Sequence, residues 1–260
     1  MLENNRSPNS KHQTITNDQF SNNQTKRYIA KIFLGIIVIV FGALTFMRNF
    51  TWQDELKIWQ EAVRVSPGSF NNHYSLGVTY AGRADLDKAI AEYRKALAIN
   101  PGHSASLTSL GVALSQKGLR KEAESCHKKA IESKPDRAEP YNNLGLLYLE
   151  EGDLKAAMWN FKQALKINPY FLQGLNNLGL AYSKAGEVEE ALKAYQRAID
   201  IEPRFSMAYN NVGMVYLGLG DFQEAAYWFK IAAGLDPSDQ GTQLGRQNLN
   251  RLQGLGLKEK

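Results

Sequence analysis

A single cysteine, Cys126, denies the chain any internal disulfide, so its fold must rest on packing alone. A reactive thiol needs a neighbouring base, and the adjacent His127 points in a different direction on a helix. The compact motifs of active sites are missing as well. There is no G-x-x-x-x-G-K-[ST], no G-x-G-x-x-G after a strand, no H-E-x-x-H and no G-x-S-x-G elbow. The four histidines, His12, His73, His103 and His127, converge on nothing, and no His, Cys or carboxylate shares a face with His127 at ligand spacing. Acidic pairs such as Glu150-Glu151 and Glu189-Glu190 read as solvated helix ends, because acid–base chemistry needs carboxylates opposed in a cleft. A net charge of +5 invites a nucleic-acid reading, but Lys and Arg are interleaved with Asp and Glu and form no basic stripe. The sequence is therefore expected to be no enzyme, with no cofactor, no metal, no small-molecule substrate and no nucleic-acid partner.

The residues that are present divide into two architectures. Residues 1–28 are rich in Asn, Ser, Gln and Thr and hold almost nothing to bury, which predicts a disordered polar tail. From Ile29 to Met47 the run IAKIFLGIIVIVFGALTFM is, at ~1.5 Å per helical residue, as long as a bilayer core is thick. A transmembrane signal-anchor helix is expected over 29–48. Lys26, Arg27 and Lys31 face a lone Arg48 at the other end, and this bias puts the N-terminus in the cytoplasm and the rest outside it, in the periplasm if the cell is Gram-negative. Cleavage as a signal peptide is disfavoured by the long polar leader and by the lack of an A-x-A-like site after the run. Phe50 and Trp52 then fall at interfacial depth.

Six of the eight prolines, Pro67, Pro101, Pro135, Pro169, Pro203 and Pro237, recur at intervals of 34 residues. With proline as position 32, five units begin at Phe70, Ser104, Ala138, Leu172 and Ser206. Position 8 is then always glycine (Gly77, Gly111, Gly145, Gly179, Gly213), and positions 20 and 27 are always alanine, from Ala89 and Ala96 to Ala225 and Ala232. Glycine inside a helix costs ~1 kcal/mol against alanine, so its recurrence at one register needs a packing reason: helices that approach too closely for a larger side chain. Position 24 is aromatic in Tyr93, Phe161, Tyr195 and Phe229, and His127 replaces it in the second unit. Gly118, Gly152, Gly186 and Gly220 mark turns between helices, whereas the first unit carries Ala84-Asp85, which predicts a less sharply ended helix.

This pattern resembles the tetratricopeptide repeat over residues 70–239. The resemblance implies an all-α, right-handed α-solenoid of TPR helical hairpins preceded by one transmembrane helix. The expected repeats cover 70–103, 104–137, 138–171, 172–205 and 206–239. A linker and half-repeat at 49–69 precede them, with Trp59 and Ala62 in register; a capping helix at 240–253, with Leu244, Leu249 and Leu252 turned inward, and a short tail at 254–260 come after them. The junction TFMRNFTWQDELKIWQEAVRVSP followed by YSLGVTY resembles that of multi-span O-mannosyltransferases with C-terminal tetratricopeptide repeats. Those enzymes hold their catalytic loops between many spans, so the likeness implies a related anchor or a partner of such an enzyme rather than transferase activity.

In this family the first helix of each unit lines a concave groove, with positions 2, 5, 6, 9, 12 and 13 facing it. Positions 5 and 6 here are Asn142 and Asn143, Asn176 and Asn177, then Asn210 and Asn211. This row is similar to the asparagine ladder of O-GlcNAc transferase repeats. Amides offer donors and acceptors to the backbone of an extended peptide of any sequence, with Leu146, Leu149, Leu180, Met214 and Leu217 beside them for its side chains. The plainer alternative is that the asparagines follow the repeat consensus and satisfy neighbouring helix ends. A carboxylate-gripping groove is excluded, because its Lys and Arg positions hold Asn, Ser, Thr and aliphatic residues. The expected function is a membrane-anchored scaffold for protein or peptide partners, in envelope assembly or secretion, with an accessory role to a membrane glycosyltransferase as the alternative.

Overall fold

The computed structural model describes residues 55–254 and, before them, only Lys31, Phe33, Leu34, Ile37, Val40, Phe41 and Gly42. The expected tail at 1–28 and, but for Gly254, the one at 254–260 lie outside the described residues, as do Phe50, Trp52 and most of the expected span at 29–48. The seven residues described there are helical and exposed. Among the described residues no helix is long and apolar enough to cross a membrane. The chain divides into two compact units, residues 1–60 and 61–260, and the repeats belong to the second.

Every described element is a helix. After a helical stretch ending at residue 65, the chain forms five antiparallel pairs. They are α1 (Phe70–Gly82) with α2 (Leu86–Ile99), α3 (Ser104–Gln116) with α4 (Arg120–Ser133), α5 (Ala138–Glu151) with α6 (Leu154–Ile167), α7 (Leu172–Ala185) with α8 (Val188–Ile201), and α9 (Ser206–Gly218) with α10 (Phe222–Gly234). A last helix, α11 (Gln240–Gly254), closes the stack.

Each pair turns in the same way. The N–H at position 16 donates to the carbonyl at position 11: Leu119 to Leu114, Asp153 to Tyr148 and Glu187 to Tyr182 at 2.9 Å, Asp221 to Tyr216 at 3.0 Å. Such a bond requires a left-handed residue between, supplied by Gly118, Gly152, Gly186 and Gly220. The expectation of a blunter first turn is corrected here. Ala84 takes φ +59°, and Asp85 donates to Tyr80 at 3.0 Å, so the tertiary stack imposes the same turn on an alanine at a cost of ~1–2 kcal/mol. Asp85, Asp153 and Asp221 then cap the second helices by accepting from the N–H groups of Lys88, Ala156 and Glu224. The second helices of the first four pairs stop at Asn100, Lys134, Asn168 and Glu202, one residue before a proline that cannot continue them.

The recurrent glycine is explained by one contact. A Cβ on Gly77, Gly145, Gly179 or Gly213 would lie 2.6 Å from the ring of Tyr93, Phe161, Tyr195 or Phe229, and on Gly111 2.5 Å from His127. The ring at position 24 packs directly against the backbone of the first helix, and the alanines at positions 20 and 27 are fully buried beside it. The first pair adds a buried polar contact, with His73 Nδ1 2.6 Å from Glu92 Oε2 and His73 Nε2 3.0 Å from the Pro67 carbonyl oxygen. His127 fills its slot with 1% exposure, but its Nδ1 finds no hydrogen-bond partner among the described residues. Burial alone pushes its pKa down to about 4.

The stacking is wedge-shaped. The backbones of first helices of successive pairs (α1, α3, α5, α7, α9) approach one another, whereas those of second helices (α2, α4, α6, α8, α10) approach only first helices or, for α10, the cap, and the Arg94–Glu122 ion pair at 2.9 Å joins α2 to α4 through side chains alone. The first helices therefore form the inner side of a curve and the second helices fan out along its outer side. α11 covers the last pair with Leu252 and Thr242 fully buried, and Gly241 and Gly245 come so close to Met207 and Ala232 that a Cβ on either would clash. Leu249 packs beside Leu252, and Leu244 is half-buried.

Candidate functional site

The inner side is built by positions 5 and 6 of the first helices, which the 3.6-residue period turns toward their neighbours in the stack. The wall changes character along its length. At its N-terminal part Tyr74, Thr108 and Ser109 border a shallow pocket of about 170 Å³ with Arg137 and Glu139. His103 lies between the rings of Phe70 and Tyr74, with centroids 4.8 and 5.2 Å away, and its Nδ1 meets Ser106 Oγ at 2.7 Å. Burial, helped by Lys134 and Arg137, holds its pKa below the usual histidine range.

Further along, the six asparagines come together. Asn177 Nδ2 donates to Asn142 Oδ1 at 2.9 Å, and Asn211 Nδ2 donates to Asn176 Oδ1 at 2.7 Å. Each is position 6 of one unit bonding to position 5 of the unit before. Within units, Asn142 and Asn210 donate to Asn143 and Asn211 at 3.4 and 3.3 Å. The amides thus tie one repeat to the next, a use that neither alternative drawn from the residues includes. Asn142 and Asn210 are buried by this role, while Asn143, Asn176, Asn177 and Asn211 stay half-exposed. Capacity is left over: Asn143 Nδ2, Asn176 Nδ2 and Asn177 Oδ1 have no partner among the described residues.

The ladder has a further rung. Asn248 of α11 donates through Nδ2 to Asn210 Oδ1 at 2.9 Å, so the cap extends the amide row as though it were another repeat. The 34-residue period does not lead to this residue, because it places Leu244 and Gly245 at the matching positions. Only the close seating of Gly241 and Gly245 against the last pair brings the helix into this register.

The apolar neighbours divide. Met214 is 46% exposed, and Leu146, Leu180 and Leu217 are half-buried. Leu149 departs from the expectation that it borders the groove: it is buried in the same core cluster as Leu175, Leu178 and Ala181, because the first helices approach too closely to leave it open. Among the described residues no group of His, Cys, Asp or Glu is arranged to hold a metal ion.

Known proteins share both the repeat and its stacking. Tetratricopeptide-repeat profiles match residues 70–103, 106–141, 145–186 and 176–240. No curated protein matches the chain significantly. Among solved structures, that of MamA is 32% identical, covering 60% of this chain and 92% of that one with a TM-score of 0.53. YrrB, described as a TPR protein with an unusual peptide-binding site, is 18% identical over 73% of this chain and 97% of its own, with a TM-score of 0.53. PilF of Pseudomonas aeruginosa is 20% identical over 78% and 93%, with a TM-score of 0.62. The last two likenesses concern the fold.

Proposed function

Because the chain belongs to the tetratricopeptide repeat family, we propose that it is a scaffold that binds an extended peptide segment of a partner protein along the inner wall between α5 and α11. One observation carries the reading. The half-exposed amides keep two donors and an acceptor unused after tying the repeats together, beside open apolar positions at Leu146, Leu180, Met214 and Leu217. Backbone amides of an extended chain complement such a row without regard to sequence, and the apolar positions select among its side chains. Photoreactive groups at Asn177 and Asn211 are expected to capture a partner that a group at the exposed Lys121 of α4 does not. Capture at Lys121 alone, with none at the two asparagines, discards the wall as the binding surface.

The proposal includes the anchor. A run of the composition and length of 29–48, with its charges on the N-terminal side, tethers the scaffold by a single span and leaves the repeats outside the cytoplasm, in envelope assembly or secretion. Protease added outside the inner membrane is then expected to digest the repeats while that membrane is intact. Digestion only after it is permeabilised reverses the orientation. The junction before Pro67 favours a second reading, an accessory subunit of a membrane glycosyltransferase; a polytopic transferase as the main species captured at Asn177 selects it.

A further inference from the structure

The fanned second helices leave clefts on the outer side, each floored by the first helix between them. The one between α6 and α8 encloses about 460 Å³ over Leu175, Leu178 and Tyr182 of α7. Its rim is formed by positions 25 and 29 of one unit and 22 and 26 of the next, which here are Lys162, Lys166, Lys193 and Arg197, all exposed. No other pair of successive units has four cations at these places. The preceding pair carries Glu132, Trp159 and Gln163 there, the next one Asp200 and Tyr227. Only part of the charge is spent internally. Lys193 pairs with Glu190 at 2.6 Å and Lys162 lies over the Tyr182 ring at 5.2 Å, while Lys166 and Arg197 have no ion-pair partner among the described residues. Room is left because Ala194 stands at position 23, where the fifth unit has Trp228.

The neighbouring cleft, between α8 and α10, differs in chemistry and shares Lys193. It encloses about 380 Å³ and is lined by the apolar Leu192, Val212, Tyr216 and Trp228 together with Glu189 and Gln196. The indole N–H of Trp228 is buried without a hydrogen-bond partner.

We propose that this pair of clefts is a second docking site, distinct from the inner wall, for an acidic peptide segment of a partner protein. Carboxylates lie among Lys166, Arg197 and Lys193, and a bulky apolar side chain enters the cleft beside Trp228. Packed helices lie ~10 Å apart and an extended chain advances ~3.3 Å per residue, so the apolar residue stands about three positions from the acidic ones. A peptide suits the surface better than a phosphate group, which fills only the basic half. It also suits it better than single-stranded nucleic acid, whose bases need open aromatic faces among the cations, whereas Lys162 covers Tyr182. The site does not depend on what the inner wall binds.

Fluorescence anisotropy with the whole chain tests it. The probe is a fluorescein-labelled twelve-residue peptide with three consecutive carboxylates and a leucine-phenylalanine pair three positions on. It is expected to bind, to weaken as salt rises, and to lose at least tenfold in affinity in the double variant Lys166→Glu, Arg197→Glu. These side chains are exposed and have no ion-pair partner among the described residues, so helical content by circular dichroism stays unchanged. Lys121→Glu, the same charge change on α4, leaves binding intact, and replacing the probe's apolar pair by serines weakens it in the native chain. No binding, or binding indifferent to the charge reversal, overturns the proposal. So does a result in which phosphatidylserine vesicles or single-stranded RNA bind through Lys166 and Arg197 and the peptide does not.

Discussion

Phe161→Ala is expected to cost about 3–5 kcal/mol of unfolding free energy, the range for removing a fully buried aromatic side chain. It is also expected to reverse the sign of a second substitution. In the native chain Gly145→Ala places a Cβ 2.6 Å from Phe161 Cε1 and 2.8 Å from Cδ1, in a slot with no free space. Overpacking of this kind costs about 1–3 kcal/mol, more than the ~1 kcal/mol that alanine gains over glycine inside a helix. With Phe161 gone the clash has no partner, and the same Gly145→Ala should stabilise by about 1 kcal/mol through propensity and partial filling of the cavity. Urea unfolding of the four proteins of the cycle measures the coupling. An equal penalty for Gly145→Ala in both backgrounds means that glycine is at position 8 for some reason other than the facing ring. The third unit lies in the middle of the stack, and each pair contacts only its neighbours, so the Phe161→Ala chain should unfold in two steps where the native array unfolds in one.

The second large effect is a dependence on pH. His127 titrates near 6.5 when unfolded and at about 4 when buried in α4 against Gly111, with burial as the cause. Above pH 6.5 the ring is neutral in both states and contributes no slope. Between 6.5 and about 4 the unfolded chain takes up a proton that the folded chain refuses, so stability falls as pH falls; below about 4 both states are protonated and the loss levels off. At about 1.4 kcal/mol per pH unit the full loss is about 3 kcal/mol. In His127→Phe this component disappears, and all other titrating groups remain as a common background to both proteins. The substitution should also stabilise at neutral pH by about 1 kcal/mol, because it removes the unpartnered Nδ1 and restores the ring found at this position as Phe161 and Phe229. Thermal melts at pH 7, 5.5 and 4 compare the two. Parallel pH profiles would show that His127 is not the group responsible.

Much of the repeat architecture is legible in the residues because its constraints are local. A glycine opposite a ring, an alanine at each close crossing and a proline after each second helix recur at one interval, since every unit meets the same neighbours. The inner wall is legible as a row of asparagines on one face, for the same reason of period. Their bonding is not. Whether an amide faces a ligand or its counterpart one repeat away depends on the distance and tilt between first helices, and no residue type encodes that distance. Leu149 and Asn248 escape the period on the same ground: one is swallowed by a helix contact, and the other is delivered by a cap that does not keep the 34-residue interval.

The sequence by itself determined that short helix pairs would stack and where each helix would turn, because backbone sterics and the fit of a ring to a glycine act between residues a fixed number apart. Only the tertiary structure decided which side of the stack would close and which would open. The first helices draw together and spend their amides on one another; the second helices splay and bring Lys162, Lys166, Lys193 and Arg197 around one cleft. That division comes from small differences in helix spacing accumulated along the array, a property of the packed whole that no single interval carries.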